Sequence, residues 1–208
     1  SLTTVLYAPG ANPFWVLEHY SDRIFPEPAD AVDYVSYPEF VQGVAELENE
    51  HPDTVRHGRV GESPGWLNVA SKSVVRNDIH VVEVSEDVRD RSAFGSKETV
   101  VVSLGIHGDE RAGVEAGVRF VEDICRGVSD AADALDDTAF VLLFPNPDGW
   151  VSRLPFTVDG RFGQTRFNDA GNTFKRNTGP DHDPNRIYPT VGWINADHYP
   201  AEPKGTDL

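Results

Sequence analysis

The chain has 208 residues, 39% hydrophobic and 25% charged, proportions that are typical of one globular domain rather than of a disordered segment. No apolar run approaches the roughly 18 residues that a membrane-spanning helix needs. The net charge is -16, from 34 acidic and 18 basic residues, so we expect neither nucleic acid nor an anionic membrane as a partner.

The acidic side chains have an unusual distribution. Aspartate outnumbers glutamate by 20 to 14, and only four lysines are present. Much aspartate with little lysine is typical of proteins adapted to high salt, where mobile ions screen self-repulsion. The composition therefore predicts a halophilic protein, and an ordinary acidic protein is the alternative. The chain has no methionine, even at position 1, and no signal-peptide pattern, so we expect the native start to lie elsewhere and leave the compartment open.

Residues 1–36 are rich in turn-forming residues, so we expect an irregular N-terminal segment. Apolar residues at helical spacing then predict a helix over 39–50. Residues 55–60 and the alternating residues 79–84 are candidate strands.

A strand, a helix and a strand follow in the central region. Residues 99–104 are a continuous run rich in β-branched residues, which predicts a strand buried on both faces. After a tight turn over 105–109, apolar residues recur at helical spacing from Val114 to Ile124, and residues 139–144 form a second apolar run. This order predicts a βαβ unit within an α/β domain. Cys125, the only cysteine, falls in the predicted helix, so we expect it to pack in the core.

Two turns follow the two strands of this unit. They are Gly105-Ile106-His107 and Pro145-Asn146-Pro147-Asp148-Gly149. Because ligands of open α/β sheets bind beyond the carboxyl ends of strands, we expect both turns to border one crevice. Residues 145–185, rich in Gly, Asn, Asp and Pro, predict a long functional loop region.

His107 and Glu110 lie three residues apart across the first of these turns. An imidazole at the strand end and a carboxylate in the first helical turn can reach one ion, and catalytic zinc sites use three such protein ligands plus water. Taken alone, the pair also fits a surface histidine and a carboxylate favoured by the helix dipole.

The surrounding motifs are more specific. I-H-G-D-E-R-A-G (106–113), N-P-D-G-W (146–150) and R-N-T-G-P-D-H-D-P-N-R-I-Y-P (176–189) occur in this order. Together they resemble the M14 zinc metallocarboxypeptidases, the carboxypeptidase A family, over roughly residues 37–203. The resemblance implies an α/β fold with a mixed, largely parallel sheet flanked by helices.

The resemblance also implies roles for five residues. His107 and Glu110 match the first two zinc ligands. Arg176 matches the arginine that polarises the scissile carbonyl and stabilises its oxyanion, as a fixed cation does. Asn185 and Arg186 match the pair that grips the terminal carboxylate of the substrate, which an arginine fork binds bidentately.

Each role has a plainer alternative. Lys175 or Arg166 could be the true match of Arg176. Asn185 could satisfy a turn, and Arg186 could pair with a nearby aspartate. We expect the Asp148-Gly149 pair to be a structural turn. The remaining histidines have no motif context: His19, His51, His57, His80, His182 and His198.

The chain departs from the family pattern in two ways. Pro184 and Ile187 replace the usual leucine and second asparagine around Asn185-Arg186. The family's third zinc ligand and general-base glutamate come later than the 22 residues that follow Arg186, so we expect this chain to be the first part of the domain. As it stands, we expect it to bind zinc poorly, to lack peptidase activity and to expose an unpaired sheet edge that invites self-association.

The sequence therefore predicts an irregular segment (1–36) and an incomplete zinc carboxypeptidase-like domain (37–208). The expected function is hydrolysis of C-terminal residues from peptides with one zinc ion. A related zinc amidohydrolase that acts on N-acyl amino acids, like aspartoacylase or desuccinylase, is the alternative. A non-catalytic module that binds carboxylates is the other alternative.

Overall fold

The computed structural model describes residues 23–25, 34–68, 72–108, 110–151, 165–167, 173–175 and 184–186. Its elements, in chain order, are α1 (Tyr37–Glu50), β1 (Val55–Glu62), β2 (Trp66–Asn68), β3 (Ser73–Val75), β4 (Asp78–Val84), α2 (Arg91–Ser96), β5 (Glu98–Ser103), α3 (Arg111–Cys125), a 3₁₀ helix (Asp130–Ala134), β6 (Thr138–Phe144), α4 (Pro147–Val151), β7 (Thr165–Phe167), β8 (Thr173–Lys175) and a second 3₁₀ helix (Pro184–Arg186). None of the helices described is long and apolar enough to cross a membrane.

The main sheet has four described strands in the order β1-β4-β6-β5. β5 and β6 are parallel, whereas β4 is antiparallel to both β1 and β6. The predicted α/β fold, with a mixed sheet flanked by helices, is confirmed. Its described part is less parallel than expected, because β1 and β4 are adjacent antiparallel strands and β4 also pairs antiparallel with β6, which leaves β5 and β6 as the one parallel pair described in this sheet. β2 with β3 and β7 with β8 form separate antiparallel pairs.

Helix α1 begins at Tyr37, two residues before the predicted start at Glu39. Ser36 and Glu39 form a reciprocal capping box, in which the Ser36 N–H donates to the Glu39 carboxylate at 2.7 Å and the Glu39 N–H donates to Ser36 Oγ at 3.4 Å. Pro38 fits the first turn, where no N–H partner is needed. The helix buries Phe40 and Leu47 in the core.

The predicted βαβ unit is present as β5, α3 and β6. Two glycines let α3 pack closely behind the end of β5. Gly105 has a φ of +66°, and a Cβ there would lie 2.5 Å from Val114 Cγ2. A Cβ at Gly117 would collide with the side chain of Leu104. The buried face of α3 includes all five residues whose spacing predicted it: Val114, Gly117, Val118, Val121 and Ile124.

The prediction that residues 99–104 form a strand buried on both faces is wrong for most of its length. Val101 is 64% exposed and Val100 is 43% exposed, whereas Leu104 belongs to the core and Val102 packs against it while partly buried. The reason is position, because β5 is the last strand in the described sheet and none of the described strands pairs with its outer edge. An apolar run of this kind does not reveal which neighbours cover it.

Cys125 packs against the core from the end of α3, as predicted, and is partly buried. Burial, together with the nearby Glu122 carboxylate, raises the pKa of its thiol to about 12. The thiol is therefore protonated at neutral pH.

Candidate metal centre

The turn between β5 and α3 carries both predicted zinc ligands. Leu104 N–H still donates to Leu143 O at 2.9 Å, so the chain leaves the sheet only after Leu104. Glu110 is the residue immediately before α3, and its N–H donates to His107 O at 3.1 Å. The turn thus closes on itself and directs both side chains to the carboxyl edge of β5.

The two side chains are in contact. His107 Nδ1 lies 3.1 Å from Glu110 Oε1, with the His107 side chain 4% exposed and that of Glu110 57% exposed. Two ligand atoms about 2.1 Å from one tetrahedral zinc ion lie roughly 3.4 Å apart. The observed separation is that of a hydrogen bond and is close to this spacing, and both atoms are of types that zinc accepts. Among the residues described, no group of three or more His, Cys, Asp or Glu side chains is placed to hold a metal.

The turn after β6 lies against the turn that carries His107. Asn146 Nδ2 donates to Ile106 O at 3.0 Å, and Asn146 Oδ1 accepts from Gly149 N–H at 2.9 Å. The carboxyl ends of the two parallel strands therefore meet, as the sequence predicted, and Asn146 joins them.

Asp148 is fully buried and has a structural role, as expected for this turn. Its carboxylate accepts hydrogen bonds from Ser63 Oγ at 2.5 Å, Gly65 N–H at 2.9 Å and Asn77 Nδ2 at 3.1 Å. These donors come from the connections on either side of the β2-β3 hairpin. Asp148 thus ties the turn after β6 to the loops beyond β1 and before β4.

Arg111 is a buried cation next to Glu110 that the sequence motifs did not reveal. It is 4% exposed, donates from Nη2 to Val35 O at 2.9 Å and stacks 4.6 Å above the ring of Trp150. Trp150 Nε1 donates to the same carbonyl at 3.0 Å. Together these contacts fix the start of α3, and with it the backbone of Glu110.

A second unforeseen feature is a partly buried chain of hydrogen bonds through Tyr37, His80 and His57. The Tyr37 hydroxyl donates its one hydrogen to Asp78 O at 2.8 Å, so it accepts from His80 Nε2 at 2.9 Å. His80 Nδ1 is then the acceptor for His57 Nε2–H at 2.7 Å. Burial lowers the pKa of His57, and it lowers that of His80 to about 4, with a smaller effect from His57.

The sequence did contain a signal for this pair. His80 alternates with Val82 and Val84, which are fully buried, so the strand pattern alone places it on the inner face of β4. The absence of a sequence motif does not exclude a structural role for a histidine, because a histidine that packs in the core needs no motif.

The remaining predicted site residues are only partly described. Arg176 lies outside the described residues. Asn185 is half-buried, and its φ of -90° and ψ of 17° place a kink in the 3₁₀ helix Pro184–Arg186. For Arg186 the structure describes the backbone alone. Their placement around His107 and Glu110 therefore stays a prediction.

Residues 41–205 match the family Peptidase_M14, described as zinc carboxypeptidase. The match covers most of the chain, and the protein belongs to this family. No curated protein matches the chain.

Solved structures similar to the chain include carboxypeptidase A from Helicoverpa armigera. It is 22% identical, with a TM-score of 0.43, over 57% of this chain and 26% of that chain. Thrombin activatable fibrinolysis inhibitor is 19% identical, with a TM-score of 0.41, over 53% of this chain and 25% of that chain. The chain thus spans about a quarter of the length of these two proteins.

Proposed function

We propose that this protein is a zinc-dependent metallocarboxypeptidase that hydrolyses C-terminal residues from peptides. The observation that carries the proposal is the contact between His107 Nδ1 and Glu110 Oε1, 3.1 Å apart at the carboxyl edge of the sheet. The match to the zinc carboxypeptidase family supports it over most of the chain.

In this proposal, His107 and Glu110 hold the zinc ion. Bound zinc supplies a Lewis acid and lowers the pKa of a bound water. Arg176 stabilises the negative charge that develops on the scissile carbonyl oxygen. Asn185 and Arg186 bind the terminal carboxylate of the peptide, and the planar guanidinium gives this contact its direction.

Zinc titration of the purified chain tests the metal site. We expect the wild-type chain to bind zinc weakly, and we expect His107→Ala and Glu110→Gln to weaken this binding further, because each removes one ligand of the same ion. His51→Ala is the matched control, since it removes a histidine at the end of α1 and should leave the affinity unchanged. Equal zinc affinity in the wild type and in His107→Ala would refute the metal site.

Kinetics of the active enzyme test the substrate roles. Arg176→Ala should mostly lower kcat, because it acts on charge that develops in the transition state. Arg186→Ala should mostly raise KM. The reverse pattern would exchange the two roles.

A panel of substrates, given to the full-length enzyme rather than to this chain alone, tests the reaction class. Hydrolysis of blocked dipeptides supports the peptidase. Turnover of N-acyl amino acids alone would favour the aspartoacylase-like or desuccinylase-like alternative. Binding of terminal carboxylates without any turnover would favour a non-catalytic module.

A further inference from the structure

We infer that Asn146 is a positioning residue for His107, acting through the peptide bond that precedes that histidine. The inference rests on the proposed function, because it assigns a purpose to the orientation of His107. Its basis is the pair of hydrogen bonds that Asn146 makes at the end of β6.

The orientation of the Asn146 amide is fixed by its two partners. Gly149 N–H can only donate, so it requires the oxygen of the amide, and Ile106 O can only accept, so it requires the nitrogen. The side chain is buried, with the residue 3% exposed. One amide therefore caps the turn of α4 and at the same time holds the turn after β5.

The carbonyl that Asn146 holds belongs to a segment outside the sheet and the helix. Between the last ladder contact at Leu104 N–H and the start of α3, the backbone passes through Gly105 in a left-handed conformation. The Ile106 carbonyl is part of the peptide group that leads directly into His107. Fixing this group restricts the rotation that sets the direction of the imidazole.

The turn that carries Asn146 is itself held in place by other hydrogen bonds. Asp148, two residues later, is held by Ser63, Gly65 and Asn77. Trp150 N–H donates to Asn146 O at 3.3 Å. Because the turn is fixed from the other side, it can impose a position on Ile106 rather than follow it.

The test separates two functions of Asn146, the cap on α4 and the hydrogen bond that holds Ile106 O. Asn146→Asp keeps an oxygen for Gly149 N–H but loses the donor to Ile106 O. Asn146→Ser keeps a capping oxygen without adding charge and is too short to reach Ile106. Asn146→Ala loses both functions. For each variant, the ring nitrogen signals of His107 are recorded by NMR without metal, zinc affinity is measured by titration, and stability is measured by thermal unfolding.

We expect Asn146→Asp and Asn146→Ser to shift or broaden the His107 ring signals while those of His51 stay unchanged. We expect zinc affinity to fall about tenfold, the low end for the loss of an outer contact to a metal ligand. A residue that only caps α4 would give wild-type His107 signals and wild-type zinc affinity in both variants, and this result would overturn the inference. If zinc fails to perturb His107 in the wild type, the proposed function fails, whereas the metal-free signals still decide the role of Asn146.

Discussion

Acidification is expected to destabilise the fold through His80. The imidazole is packed against Tyr37 and Phe40, with ring centroids 5.7 Å from each. The charged groups that act on this cluster are Glu48 from α1, Arg59 from β1 and Asp78 from β4, and Asp148 from α4 acts on Tyr37. These groups leave burial as the dominant effect on the pKa of His80, and the folded state holds the ring neutral.

The sign follows from the direction of the pKa shift. His80 has a pKa of about 4 in the folded state and an ordinary value of 6.5, so between these two values the unfolded state binds more protons. The free energy of unfolding is therefore complete above pH 6.5 and falls as the pH decreases toward 4. At about pH 5 the loss from His80 alone is about 2 kcal/mol, at 1.36 kcal/mol for each unit of pKa. His57, whose pKa is also lowered, acts in the same direction.

The assay compares urea unfolding of the wild type and of His80→Gln at about pH 7.5 and pH 5, at one ionic strength. Glutamine can accept from His57 and donate to Tyr37, but it does not titrate. The wild type should lose about 2 kcal/mol more than the variant between the two pH values, while every other ionisable group is common to both proteins. Equal losses within about 0.5 kcal/mol would refute the assignment of a depressed pKa to His80.

Three further predictions concern stability and association. Asp148→Ala should lower the free energy of unfolding, measured in urea, by about 3 kcal/mol or more, because three hydrogen-bond donors lose a buried carboxylate. A loss of less than about 1 kcal/mol would contradict the structural role of Asp148. Val101→Lys should reduce self-association, measured by sedimentation velocity, because a charge on an exposed edge strand opposes pairing between chains. Unchanged association would show that the chains contact each other at a surface other than β5. Raising potassium chloride toward molar levels should raise the melting temperature, because salt screens the repulsion within a chain of net charge -16. A melting temperature that stays constant or falls with added salt would count against halophilic adaptation.

Local patterns in the sequence predicted the βαβ unit and the meeting of its two turns. The spacing from Val114 to Ile124 was sufficient, because a helix packed on a sheet must bury one continuous face. Helix α1 begins two residues before its predicted start, because the Ser36–Glu39 capping box fixes its first turn. The capping box is a contact between side chain and backbone, which hydrophobic spacing does not report.

What the sequence did not predict depends on neighbours that are distant along the chain. The exposure of Val101 follows from the position of β5 in the sheet order, which no window of residues contains. Likewise Arg111 is buried because Val35 and Trp150 converge on it from segments far away in sequence. For the candidate site, the motif predicted that His107 lies beside Glu110. The hydrogen bond from Asn146 to Ile106 O depends on the pairing of β5 with β6, which the motif does not report.

The 208-residue chain contains one sulfur atom, that of Cys125, since it has no methionine. A thiol with a pKa of about 12 is almost entirely unreactive toward alkylating reagents at neutral pH while α3 stays packed. Local opening would restore an ordinary thiol and make it the single point of attack. The rate of labelling at Cys125 therefore reports how often the end of α3 detaches from the core, and a probe attached there would follow this helix without any engineered residue.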